Sequence, residues 1–134
     1  MTVFFDTNII AYMFDDGQPV KQHRAFEIFS QSAPDAVIST QVQIELCSVL
    51  TRKLGKSRED AARVLRELRL DVVPTDEALV LAAADAAAEH QLSIFDALVL
   101  VAAGRGRCSE LWTEDLATGS TLDGIRIVNP FLAG

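Results

Sequence analysis

The sequence predicts an α/β fold built on a mostly parallel central sheet of four to five short strands flanked by helices. Three observations carry that reading. Short runs rich in β-branched or aromatic residues recur along the chain. Longer stretches with apolar residues at helical spacing separate them. Capping and turn residues mark the boundaries between the two. Parallel strands need long crossover connections, so this alternation favours a parallel sheet covered by helices.

The elements follow in order. Thr2 to Phe5 suits a short buried strand. Asn8 to Phe14 is helical, with Ile9, Ile10, Met13 and Phe14 apolar. Asp15-Asp16-Gly17-Gln18-Pro19 is a turn. Helix resumes from Val20 to Ser30, with Ala25, Phe26, Ile28 and Phe29 on its buried side. Ala36 to Ser39 is a second strand. Ser39 or Thr40 caps a helix reaching Leu54, striped by Val42, Leu46, Val49, Leu50 and Leu54 and stopped by Gly55. Ser57 caps the next helix, with Asp60 at its third position. Leu70 to Val73 is a third strand, ended by Pro74. Thr75 caps an Ala-rich helix to His90, and Ser93 caps another that ends near Gly104. Glu110 to Thr113 is a fourth strand, and Ile125 to Val128 a fifth before Asn129-Pro130. No repeat or linker interrupts residues 1–134, so one domain is expected.

Composition narrows the function. Hydrophobic residues make up 49% of the chain, which supplies a core and argues against disorder. A net charge of -7 disfavours broad adhesion to nucleic acid. The basic residues are nevertheless uneven, since seven of the twelve lie between Arg52 and Arg69. Only Cys47 and Cys108 occur, without zinc or disulfide spacing, and Cys47 reads as a buried reduced thiol. No signal peptide is expected, because no basic segment precedes the first apolar run. The longest apolar run, Ala97 to Ala103, is too short to span a bilayer. A cytoplasmic protein is the expectation.

Four acids carry the chemistry. Asp6 ends the first strand, Glu45 lies one turn into the helix after the second, and Asp115 follows the fourth. Asp96 sits in the first turn of its helix. Ligands of parallel α/β sheets bind beyond the carboxyl ends of the strands, so all four can reach one edge. Carboxylates crowded there repel each other unless a divalent cation lies between them. Singly, each has a plainer role: Asp96 as a capping-box acid, Asp6 as a helix cap, Glu45 at the margin of a buried stripe, Asp115 in a turn. Thr7, Asn8 and Thr113 add polar groups that can orient a carboxylate or a bound water. His23 and His90 have no partner at metal-ligand spacing, and surface or packing roles are expected for both. Arg52, Lys53, Lys56 and Arg58, extended by Arg63 and Arg66, either hold the phosphates of a ligand or form a solvated face paired with Glu59, Asp60 and Glu67. Arg105 and Arg107 carry the same two readings.

These residues resemble a known family. Phe4-Phe5-Asp6-Thr7-Asn8-Ile9-Ile10 is similar to the opening of PIN-domain ribonucleases. Ile44-Glu45-Leu46, Ser93-Ile94-Phe95-Asp96-Ala97-Leu98, Trp112-Thr113-Glu114-Asp115-Leu116 and Val128-Asn129-Pro130-Phe131 follow in the family's order. At this length the chain looks most like a VapC-type toxin of a toxin–antitoxin pair. The resemblance implies an endoribonuclease dependent on Mg²⁺ or Mn²⁺. It makes Asp6, Glu45, Asp96 and Asp115 metal ligands and Thr7, Asn8 and Thr113 their supports, with Glu114 and Asp123 as alternatives for the fourth acid. It also implies an RNA substrate, a homodimer and a cognate antitoxin that obstructs the pocket.

Two other readings start from the same residues. One is a noncatalytic PIN-like module that binds RNA or protein. The other is a haloacid-dehalogenase-like phosphatase, which wants Asp where this chain has Asn8 and a late Lys, whereas the last is Lys56.

Overall fold

The computed structural model describes residues 2–132. The chain runs β1 (Val3–Phe5), α1 (Thr7–Ala11) with a 3₁₀ turn at Tyr12–Phe14, α2 (Pro19–Ser32), β2 (Ala36–Ser39) and α3 (Thr40–Ser48). A π-helical turn, Val49–Lys53, continues α3. Then come α4 (Arg58–Leu68), β3 (Asp71–Val73), α5 (Glu77–His90), α6 (Ile94–Arg105), β4 (Glu110–Trp112), β5 (Thr121–Leu122) and β6 (Ile125–Val128). No single helix among the described residues is long and apolar enough to cross a membrane.

The α/β expectation holds. Six strands form one sheet in the order β3-β2-β1-β4-β6-β5. All neighbours are parallel except the pair β5 and β6. β1 is central and wholly buried, which is why its three residues are all apolar. Its carbonyl end sits at a switch point: the chain leaves β1 for β2 and β3 on one side, then returns to β4 on the other. A crevice opens at such a reversal, beyond the carboxyl ends of the strands. α5 and α6 pack against each other, with the chain bent by 114° at the break between them. Gly106, just after α6, lets that helix end close on the sheet, because a Cβ there would lie 3.1 Å from Val37 Cγ1 and 3.3 Å from Val73 Cγ2.

Several details differ from the sequence reading. The sheet has six strands because β5 pairs with β6 across Asp123-Gly124, both at positive φ (51° and 79°). That dipeptide is a strong signal for a two-residue hairpin turn, and it went unused. Asp76, not Thr75, caps α5 by accepting from the Leu79 N–H at 2.8 Å. Thr75 instead ties its strand end to α3: its N–H donates to Thr40 Oγ1 and its hydroxyl accepts from the Gln41 N–H. Phe26 is 51% exposed rather than buried, because only Ala25 and Ile28 of α2 reach the interior. Cys47 is half-buried, whereas Cys108 is buried, and burial pushes its thiol up to about 11. The single long helix expected to Leu54 stops being α-helical at Ser48, and its widened turn bonds the Leu54 N–H to the Val49 carbonyl.

Candidate active site

The switch point is lined with acid. Asp6 is the cap of α1 and is buried. Its Oδ1 accepts from the Thr7 N–H, and its Oδ2 from the Thr113 hydroxyl, both at 2.7 Å. Thr113 follows β4 and is itself fully buried. Its oxygen also accepts from the Asp115 N–H at 3.1 Å, so one hydroxyl sets the position of two acids. Asn8 Nδ2 donates to Asp115 Oδ2 at 3.1 Å. Glu45, on α3, accepts from Gln41 Nε2 one turn earlier. Asp6, Thr7, Asn8, Glu45 and Asp115 line a common cavity of about 240 Å³, with Tyr12, Lys53 and Glu114 among the other walls.

The electrostatics place the fourth acid beside them. Burial pushes Asp6 up to about 6 against the two hydrogen bonds, and the charges of Asp115 and Glu45 push the same way. Glu45 is raised by burial and by Asp115 and Asp96. Asp115 is raised by burial, then by Asp96 and Glu114. Asp96 does not line the cavity, yet its charge reaches both Glu45 and Asp115. Its backbone N–H is used by the Ser93 cap at 3.1 Å. The carboxylate takes no hydrogen bond among the described residues, so Ser93 caps the helix while the reciprocal capping-box bond from Asp96 is not formed.

The two rival acids are engaged elsewhere. Glu114 stands at the cavity rim, where it accepts from the Tyr12 hydroxyl and from Lys21 Nζ at 3.0 Å. Lys21 also lies 4.8 Å from the centre of the Tyr12 ring. Asp123 is in the β5–β6 turn, 3.1 Å from His90 Nε2. His90, read from sequence as lacking a partner, thus has one, and Glu89 completes a separate cluster whose ligand atoms lie within 4.8 Å of one another. Gln41 is a site residue that sequence reasoning missed. Its place four residues before Glu45, on the same helix face, was the available signal.

Could oxygen-binding cations fit here? Thr7 Oγ1 and Asn8 Oδ1 are buried without a hydrogen-bond partner. Carboxylates, a hydroxyl and an amide carbonyl are hard oxygen donors, the set that Mg²⁺ and Mn²⁺ take. The residues fit such an ion.

A family model described as the PIN domain matches residues 3–117. The chain belongs to the PIN domain family. Solved structures share this PIN fold at low identity. A toxin–antitoxin complex from Klebsiella pneumoniae is 20% identical with a TM-score of 0.73, covering 96% of this chain and 98% of that one. A DNA-bound VapBC complex from Salmonella typhimurium is 22% identical, with a TM-score of 0.69 and coverage of 95% and 96%. A VapC toxin of Mycobacterium tuberculosis, described as cleaving the sarcin-ricin loop, is 20% identical, with a TM-score of 0.69 and coverage of 82% and 87%. No curated protein matches the chain.

Proposed function

We propose that this PIN domain is a metal-dependent endoribonuclease and the toxin of a toxin–antitoxin pair. The observation that carries the reading is the gathering of Asp6, Glu45 and Asp115 around one cavity at the carboxyl edge of the sheet, each raised by burial and by neighbouring carboxylates, with the charge of Asp96 acting on Glu45 and Asp115. Mutual repulsion of this kind is costly to the fold and is relieved by a cation. The fold neighbours described as toxin–antitoxin complexes support the biological role.

Asp6, Glu45, Asp96 and Asp115 would hold Mg²⁺ or Mn²⁺, with Thr7 and Asn8 beside them. A bound cation of this class supplies hydroxide at neutral pH and offsets charge on the phosphoryl oxygens. The remaining work falls to the protein. Thr113 fixes Asp6 and the Asp115 backbone together, so the two carboxylates keep their spacing. Asn8 orients Asp115, and Gln41 orients Glu45. The cavity walls confine the phosphodiester to the acidic end, where in-line attack by water and departure of the 3′-oxygen leave 5′-phosphate and 3′-hydroxyl products.

An antitoxin would cover this cavity, and a second copy would cover exposed apolar residues such as Ile44, Leu81 and Phe95. The test is cleavage of structured RNA by purified protein with Mn²⁺, with EDTA, and with Asp96→Asn prepared identically. We expect cutting in Mn²⁺ alone, falling at least a hundredfold in the variant. Absence of both cutting and Mn²⁺ binding by calorimetry would instead assign a noncatalytic binding module.

A further inference from the structure

The chain is acidic overall, yet the segment from Arg52 to Arg69 carries seven basic residues against three acidic ones. The expected pairing with Glu59, Asp60 and Glu67 is nearly absent. Among the described residues only Arg63 forms an ion pair, with Asp60 at 3.0 Å. Arg52, Lys53, Lys56, Arg58 and Arg66 form none, and none of their side chains makes a hydrogen bond among the described residues. Lys56 Nζ lies 5.7 Å from the centre of the Phe14 ring, and the others stand open to solvent, free to take an anion.

Their positions trace a path. Lys53 is the one basic residue lining the acidic cavity, among Asp6, Glu45 and Asp115. Arg52, its neighbour on the π turn, lines a larger adjoining groove between α3 and α4, together with Lys56 and Arg58. Arg58 also lines a third depression, with Arg63 and Arg66. The π turn makes the junction. Arg52 and Lys53 are consecutive on this turn and line two different cavities, as neighbours on any helical turn project to different sides. From Arg58 to Arg66 the path then follows α4 for about 12 Å.

We propose that this row is a backbone track: RNA phosphates 5′ or 3′ of the cut bond lie along Arg52, Lys56, Arg58 and Arg66, and Lys53 receives the phosphate next to the acidic cavity. The inference rests on the nuclease reading for its direction, since the track leads into the proposed catalytic acids. Phosphate contacts of this kind position a strand without reading its sequence. The groove lining also includes Cys47 and Leu65, which would face sugars and bases rather than phosphates.

The test measures binding without catalysis. Anisotropy of a short fluorescein-labelled, mixed-sequence single-stranded RNA is followed in EDTA across a salt series. Two double variants are compared, each removing two positive charges: Arg52→Ala with Arg58→Ala, and Arg69→Ala with Arg126→Ala, the latter two lining none of these cavities. All four residues are exposed. The track pair is expected to weaken binding about tenfold or more and to reduce the slope of log K against log salt by roughly 1.4, the loss of two contacts on a single strand. The control pair leaves the slope unchanged, and Arg52→Lys with Arg58→Lys retains the wild-type slope. Equal losses in both Ala pairs would show diffuse attraction and overturn the track. So would wild-type protein with no salt-dependent RNA binding. An unchanged RNA slope in the track pair, with weakened capture of poly-glutamate, would assign the groove to an acidic protein segment and overturn it too. RNA bound through the track but left uncut in Mn²⁺ would overturn only the nuclease reading.

Discussion

At the scale of single residues, Asp6 shows how a site can work against its own fold. Its proton affinity in the folded state is raised, to about 6 from an ordinary 3.8. The folded protein therefore binds this proton more tightly than the unfolded chain. Stability from that source is fully present below pH 3.8 and is lost as pH rises through 6. By the shift alone, ionised Asp6 costs the metal-free protein on the order of 3 kcal/mol at neutral pH. The melting temperature in EDTA should thus rise as pH falls from 7.5 to about 5. Asp6→Asn should remove much of that gradient and melt higher than wild type at pH 7.5. A variant that keeps the whole gradient would exclude Asp6 as its source. The same residue explains what could be read from sequence here. Asp6, Glu45, Asp96 and Asp115 are legible because all four follow apolar runs, and their joint placement outweighs the plain role that each has singly. Gln41 is not, since a neutral amide in a helix leaves no mark until its partner is seen. The ion partners of Glu114 and Asp123, Lys21 and His90, are visible only in three dimensions.

Secondary-structure elements were legible to the extent that their own residues decide them. β1, β2, α3, α4 and α6 start where their strand or cap residues predict, with Ser39, Ser57 and Ser93 each accepting the expected N–H. The failures lie where tertiary contacts decide. The π turn follows no Gly or Pro, and Thr75 was drawn away from its capping role by Thr40. Phe26 fits the apolar period of α2, but that helix covers the core with a narrow face. Gly106 is a case that sequence cannot flag, because its φ is an ordinary -76°. Its necessity comes from Val37 and Val73. Gly106→Val should push α6 off the sheet and destabilise the protein by about 1–3 kcal/mol, read as a lower urea midpoint. An unchanged midpoint would mean that the two valines move aside at no cost.

For the whole molecule, the pieces meet at one edge. The switch point brings Asp6 and Asp115 together because β1 and β4 are neighbours in the sheet though more than a hundred residues apart in the chain. Apolar side chains next to the acids in the chain are exposed: Ile44, before Glu45, is 71% exposed, and Phe95, before Asp96, is 64% exposed. If a second copy covers Phe95, Phe95→Arg should convert a dimer to a monomer in analytical ultracentrifugation while leaving the circular dichroism spectrum intact. A wild-type monomer, or a variant that still dimerises, would place the exposed rings in some other contact. Sheet geometry limits the choice of contact. At one margin lies β3, three residues long and followed by Pro74; at the other lies β5, with two residues. An incoming strand would find too few free amides on either side to hold it. Fibrous stacking is thereby discouraged, and an extended peptide would gain little grip by lengthening the sheet. Whatever docks on this protein must recognise helices and side chains, which leaves its binding energy open to single substitutions.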